Sequence, residues 1–480
     1  MEGFAKSFFF ARLLEIPMNS IINFKELFSY ADWIIFALAL SCSGIAIYIG
    51  KKQASSQNFL ETILMSRSLT LPFFVASLVT TWYGGIIAVS ANSFEQGFLQ
   101  FFSQGFFWYL AYLFFVFVLA PKINLQETLS LPHLVSKIFG HKTAKISAFL
   151  SFIDAIPIVY LTSLAILVQI IFGGNLYIIS LALGFFIVCY SIYGGFRALM
   201  YVDIVQFVLI NIGLLLVMVF SFYTYGNPFN LVLPPHYFTV SGTEGYLSLF
   251  SWALVALSVI IDPAFHHRIY AVGNLKTTQK SILICIFFWV FFDLSITFIG
   301  LYAKSLLPEI HPNESFLTYS LQVVPQGLRG FVLAGVLATI LSAVDTHLFV
   351  AANTISEYFF NSFIKHKVKR HYFSLFFVAF LAASIGFFFK NQIIFIFKLK
   401  GALTTGCFLI PMLFGSFYPK IIPDHAFVKV FWMSVTAVIF SFILKFFNLH
   451  SLDDIYPALI TSIFSLTYFF IKYKDHETIS

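Results

Sequence analysis

Long apolar runs alternate with short polar stretches along this chain, and the runs recur at the length of one structure. Crossing a hydrocarbon core of about 30 Å takes a helix of about 20 mostly apolar residues. On that ruler the pattern predicts about thirteen membrane-spanning helices: 31–50, 69–90, 101–121, 144–172, 176–193, 198–223, 246–268, 280–303, 328–361, 372–390, 393–418, 426–447 and 452–473. The run at 328–361 is long enough for its last third to be a helical extension or a second, tilted segment. The widest polar gaps, 122–143, 224–245 and 304–327, are too short to hold a further domain. The expected fold class is an all-α polytopic membrane protein.

Composition points the same way. Of the 480 residues, 59% are hydrophobic and 10% charged, against about 45–50% and 25% in a soluble domain. This excludes a cytosolic enzyme, a disordered chain and a nucleic-acid binder. The net charge of +7 comes from 28 Lys and Arg against 21 Asp and Glu, and its distribution carries the information. Lys51, Lys52 and Arg67, then Lys122, Lys137, Lys142 and Lys145, then Lys276 and Lys280, then Lys365, Lys367, Lys369 and Arg370 fall in alternate loops, while 91–100 and 224–245 hold no Lys or Arg. Loops rich in Lys and Arg face the cytoplasm. The N-terminus is therefore expected outside and the C-terminus inside, in the plasma (inner) membrane. Residues 1–30 read as an extracytoplasmic segment rather than a signal peptide, since no small-residue cleavage site follows. Residues 474–480 read as a cytoplasmic tail. Cys42, Cys189, Cys285 and Cys407 sit far apart in apolar stretches and suggest packing rather than a disulfide framework. No GxxxxGK[ST] motif is present, so ATP-driven pumping has no basis here.

Ionisable residues inside a membrane span are costly and mark candidate sites. Asp154, Asp203, Asp262, Asp293 and Asp345 are such residues, as are Lys398 and Lys400 in the run 393–418. Asp203 could equally serve as an acidic group at a helix start, and Asp262 could instead mark a helix end at the cytoplasmic interface. His266 and His267 lack a third ligand at metal spacing. Three places look built to interrupt a helix: Thr80-Thr81-Trp82-Tyr83-Gly84-Gly85, the stretch 258–263 ending in Asp262-Pro263, and Ala338-Thr339-Ile340-Leu341-Ser342-Ala343. Paired Gly disfavour a regular helix, and Pro removes a backbone donor. Freed carbonyls and hydroxyls at membrane depth can replace the hydration shell of an alkali cation. Interruptions in span two and span seven suit two five-helix repeats of opposite topology, here 69–223 and 246–418, with 31–50 and 426–473 as added helices.

With these motifs in place, the chain resembles the sodium:solute symporter family, which includes proline, pantothenate and sugar symporters. The resemblance covers about residues 60 to 420 and rests on four stretches. The run Tyr193-Gly194-Gly195-Phe196-Arg197 through Asp203 to Gln206 is similar to the family's YGG-(basic)-A-x-x-x-x-D-x-x-Q signature. The run from Gly335 through Ser342-Ala343-Val344-Asp345-Thr346 is similar to its small-residue helix. Asp262-Pro263-Ala264-Phe265-His266-His267-Arg268 is similar to D-P-x-x-x-Q-R, and Thr81-Trp82-Tyr83-Gly84-Gly85 to T-W-x-G-G. The resemblance implies a leucine-transporter-like core fold and sodium-coupled symport of a small organic solute by alternating access. It implies a cation site from the carbonyls of Thr80, Tyr83 and Thr339, the Ser342 hydroxyl and position 343, where Ala343 replaces a common second hydroxyl. Asp203 matches the acid on the family's cation exit route. The solute is expected beside Trp82, Tyr83, Gly84 and Gly85, with Trp252 and Ser258 opposite. Sodium, the solute and the lipid bilayer are the implied partners; no organic cofactor, nucleic acid or obligate protein partner is indicated. Neither is an enzyme, for no nucleophile–base constellation is visible. Proton-coupled or uncoupled transport, motivated by Ala343, and a non-transporting membrane sensor are the alternatives, with a channel a weaker third.

Overall fold

The computed structural model describes residues 27–54, 58–123, 125, 127–389, 400–419, 421–446 and 455–477. Most of the segment 1–30, Lys398, the start of the run 393–418 and the end of the tail 474–480 lie outside the described residues. Among the described residues every regular element is helical. In chain order they are α1 (Tyr30–Lys52), α2 (Phe59–Leu64), α3 (Leu71–Trp82), α4 (Ile86–Gln96), α5 (Phe107–Phe114), α6 (Leu131–Ile138), α7 (His141–Ala155), α8 (Ile158–Phe172) and α9 (Leu176–Tyr225). There follow α10 (Gly245–Ala256), α11 (Pro263–Val272), α12 (Leu275–Leu306), α13 (Pro312–Val323), α14 (Arg329–Tyr358), α15 (Lys367–Phe388), α16 (Cys407–Phe417), α17 (Asp424–Phe446) and α18 (Ile455–Glu477).

Nine helical stretches among the described residues are long and apolar enough to cross a bilayer, ten with the bent pair Ser248–Ile261 and Pro263–Val272. This makes the chain a multi-pass membrane protein, without fixing the number of crossings at thirteen. The 50-residue α9 would measure about 75 Å if straight, more than twice the hydrocarbon core. It doubles back at Gly195, where φ is 62° and ψ −163°, a conformation that glycine adopts without a Cβ clash. Both arms run beside α1. Phe172, just before α9, touches Trp33 near the start of α1, and Gly50 near its end lies against Ala198, just past the bend. Gly213 in the second arm lies on Phe331 and Val332 at the start of α14.

The spans differ in enclosure, which separates core from periphery. Over their most apolar 18 residues, the stretch Leu71–Gln96 is 83% buried and α14 78%, whereas α1 is 22%. The outer faces carry large exposed apolar side chains such as Phe185, Phe287, Phe380 and Phe464. Apolar surface on that scale suits lipid rather than water.

One expected interruption is absent. The segment 338–343 lies within α14, which runs unbroken from Arg329 to Tyr358. Its small residues serve close packing instead: a Cβ at Gly335 would stand 3.1 Å from the Leu209 carbonyl oxygen of α9. The Thr339 hydroxyl donates to the Val336 carbonyl of its own helix at 2.7 Å, a bond that leaves a helix intact.

Candidate functional site: an oxygen cluster beside an aromatic cavity

The first interrupted span is tightened rather than unwound. Between α3 and α4 lies a single 3₁₀ turn, Tyr83–Gly85. The Tyr83 N–H donates to the Thr80 carbonyl and the Ile86 N–H to the Tyr83 carbonyl. Each carbonyl keeps a second lone pair for another partner. A side chain at Gly84 would collide with the Ala343 methyl and approach Tyr160 to 3.2 Å, so this turn sits directly on α14.

Side-chain oxygens gather at that junction. The Ser342 hydroxyl donates to Asp203 Oδ1 at 2.7 Å and lies 3.0 Å from Thr80 Oγ1 and 3.2 Å from Thr81 Oγ1. Thr346, one turn further along α14, places its hydroxyl 3.2 Å from that of Thr81. Asp203 is fully buried, and its Oδ2 has no hydrogen-bond partner among the described residues. Thr80, Ser342 and Asp203 thus come together. Thr339 turns its hydroxyl to its own helix, and Ala343 presents a methyl to Gly84. Hydroxyls with one carboxylate are hard oxygen donors that fit a small monovalent cation.

A buried guanidinium closes one side of the cluster. Arg268 on α11 donates from Nε to the Ser77 hydroxyl at 2.7 Å and from Nη1 to the Ala264 carbonyl at 3.1 Å. Its Nη2 donates to Thr81 Oγ1 at 2.5 Å and Thr346 Oγ1 at 2.8 Å. One fork therefore ties α3 to α14, which the rigid planar donor array of arginine can do and a lysine cannot.

The second interruption is a true break. A 3₁₀ stretch, Leu257–Ile261, leads to extended Asp262, and the chain bends by 47° into α11. Asp262 caps α11, accepting from the Ala264 N–H at 2.8 Å and the Phe265 N–H at 3.3 Å. Pro263 follows at the first helical position, where its missing donor has no consequence. His266 and His267 are used locally. His266 bonds the Ile260 carbonyl at 2.8 Å and the Tyr270 hydroxyl at 2.7 Å, and His267 bonds the Ile63 carbonyl at 2.7 Å.

Between the two interruptions lies a cavity of about 260 Å³. Four of the solute residues expected from sequence, Trp82, Gly85, Trp252 and Ser258, line it. The other two, Tyr83 and Gly84, do not: Tyr83 stacks on Phe292 and donates to the Trp289 carbonyl at 3.1 Å, while Gly84 faces α14. Sequence reasoning missed the opposite wall. Gln104 comes from a widened π turn, Phe101–Phe106, and Trp108 from α5; the Trp108 ring meets Trp82 edge-on at 4.7 Å. A second π turn, Ala402–Gly406, brings Thr404 and Thr405 to the cavity. Single-turn π segments recur at functional sites, but hydropathy does not reveal them. Asp293 also lines the cavity, as do Asp154 and Lys400, whose charged ends are 3.5 Å apart.

A many-spanning helical protein with two interrupted spans meeting at a central cavity has the architecture of a secondary transporter. Residues 62–431 match the sodium:solute symporter family, and the chain belongs to it. Its relatives include the osmoregulated proline transporter OpuE of Bacillus subtilis (strain 168), 24% identical over 52% of this chain and 55% of that protein. The sodium/proline symporter of Staphylococcus aureus (strain JH9) is 24% identical over 42% of this chain and 41% of that protein. The chain thus spans about half the length of the curated relatives it matches. A solved structure of a Na⁺-coupled sialic acid symporter, in a substrate-bound outward-open state, superposes with a TM-score of 0.75 at 13% identity, covering 93% of this chain and 98% of that one. The shared fold is the leucine-transporter-like symporter core.

Proposed function

We propose that the protein is a secondary active transporter that couples entry of sodium to uptake of a small organic solute across the plasma membrane, by alternating access. The observation that carries this reading is the junction of α3 and α14, where hydroxyls of Thr80, Thr81 and Ser342 and the carboxylate of Asp203 meet one turn from the cavity wall. Sodium would be held there by the carbonyls of Thr80 and Tyr83 and the hydroxyl of Ser342, with Thr339 and Ala343 on the same stretch of α14. Asp203 would receive the ion on its way to the cytoplasm. The solute would occupy the cavity against Trp82, Gly85, Trp252 and Ser258, and the repeats 69–223 and 246–418 would rock about it. The N-terminus would lie outside and the C-terminus in the cytoplasm. The printed functions of the relatives put proline among the first solutes to assay. The test is uptake into proteoliposomes under an inward sodium gradient, with potassium as the replacement ion. Accumulation that collapses with the gradient supports the reading, and accumulation indifferent to sodium refutes it.

A second reading, uncoupled or proton-coupled transport, has its own support. Ala343 contributes no hydroxyl, and Arg268 already sets a fixed positive charge against Thr81 and Thr346. In the same assay it would show as uptake equal in sodium and potassium.

A further inference from the structure

Among the described residues, the charged groups around the cavity have opposite charges at hand with one exception. Asp154 faces Lys400 at 3.5 Å. Asp262 caps α11 and lies within electrostatic reach of Arg268. Asp293 is 1% exposed, and its hydrogen-bond partner is the Tyr109 hydroxyl; no Lys, Arg or His pairs with it. Its place is made by Gly105, where a Cβ would come within 2.8 Å of Asp293 Oδ2 and 2.7 Å of the Tyr109 oxygen. A lone buried carboxylate is costly and marks a functional position whose partner must be sought.

The surroundings indicate the partner. Trp82, Trp108 and Tyr112 line the same cavity, with the Trp82 ring 4.7 Å from that of Trp108 and 5.9 Å from that of Tyr112. Ring faces attract cations, most strongly where water is excluded. Two N–H donors of the lining, Gln104 Nε2 and Trp108 Nε1, are buried without partners and suit an acceptor oxygen on the same solute. The volume of about 260 Å³ is below the roughly 300–1,000 Å³ of pockets for drug-sized ligands, so the solute is compact.

Resting on the reading of this cavity as the solute site, we infer that the transported solute carries a protonated or quaternary amine, with Asp293 as its counter-charge between the rings of Trp82, Trp108 and Tyr112. Gln104 and Trp108 receive an acceptor group of the same molecule, and an amino-acid zwitterion is the simplest solute that meets both demands.

Matched pairs test this on the purified full-length protein. In each pair the amine nitrogen is replaced by a neutral atom of similar size: L-proline against tetrahydrofuran-2-carboxylate, and glycine betaine against 3,3-dimethylbutanoate. Calorimetric binding in sodium should favour at least one ammonium member over its partner by about tenfold or more. Asp293→Asn should erase that preference while retaining the wild-type melting profile; Asp293→Glu should restore part of it. Equal affinity within both pairs, no binding by either ammonium compound, or a preference unchanged in Asp293→Asn overturns the inference. Sodium-driven uptake of a neutral or anionic solute would overturn it and leave the proposed function standing. Ammonium-selective binding with sodium-independent uptake would do the reverse.

Discussion

Replacing Ser342 by Ala removes one oxygen from the centre of the cluster, and its effects on fold and ion separate cleanly. The hydroxyl donates to buried Asp203 and touches Thr80 and Thr81. A hydrogen bond to a charged group contributes about 1.5–3 kcal/mol, so the variant should fold with a modest loss of stability. For the ion the same magnitude acts on a smaller total. Thr339 is turned away and position 343 carries a methyl, leaving Ser342 as the one side-chain oxygen that segment 339–343 turns toward α3. A loss of about 1.5–3 kcal/mol in ion binding is roughly a ten- to hundredfold rise in the sodium concentration needed. The assay needs no known solute, since an ion that binds only the folded state raises its stability with concentration. Melting of purified protein, titrated with sodium at constant ionic strength against potassium, gives the half-effective concentration. The wild type should respond, and Ser342→Ala should respond only at concentrations at least tenfold higher. An unchanged titration midpoint would remove the cluster from consideration as the sodium site.

Three further substitutions probe the same junction. Ala343→Ser adds a hydroxyl facing the Tyr83–Gly85 turn and should lower the half-effective sodium concentration by up to about tenfold; no change would show that position 343 does not face the ion. Gly84→Ala drives a methyl into Ala343 and should destabilise by about 1–3 kcal/mol through overpacking, seen as a lower melting temperature together with lost uptake; wild-type melting would contradict the close seating of α3 on α14. Arg268→Lys keeps the charge but cannot reach Ser77, Ala264, Thr81 and Thr346 together, and should cost about 1–3 kcal/mol for the buried hydrogen bonds left unmade. Normal folding yield and melting in that variant would mean the guanidinium does not clamp α3 to α14.

What could be read from the chain follows from what is local in it. Span positions depend on hydropathy summed over about 20 residues, and the nine long apolar helical stretches among the described residues overlap runs that the sum picks out. Asp262-Pro263 marks a break because Asp caps the helix that follows and Pro suits its first position, both effects within three residues. The stretch 338–343 misleads for a related reason. Small and hydroxyl residues suit an interruption and a tight helix crossing equally, and only the nearness of Leu209 and Gly84 decides between them. The wall built from Gln104, Trp108 and Asp293 depends on contacts across nearly two hundred positions, such as Tyr109 with Asp293. Such a wall has no local signature, although Asp293 was visible as a polar residue in an apolar run.

Ion and solute, in the proposed cycle, would meet one short turn from two sides. Thr80 points to Ser342, while Trp82, two residues on, carries its ring to the cavity; successive helical residues face about 100° apart. A cation drawing Thr80 and Ser342 together would hold the turn on α14 and fix the ring against which the solute rests. Ordering the turn would then be shared between the two ligands, and whatever factor sodium adds to solute affinity, solute must add to sodium affinity. Arg268 spans the same two places, since it bonds Thr81 and Thr346 and also lines the cavity. The membrane potential acts on this pair with about 2.3 kcal/mol per charge for each 100 mV, near fiftyfold in accumulation. A zwitterion adds no charge to that of sodium, so its uptake draws on a single ion's worth of potential. A solute bearing only the ammonium would draw on two, and the acceptor-seeking N–H groups of Gln104 and Trp108 would then lack a partner. Two unpartnered buried donors weigh against that solute and favour the zwitterion.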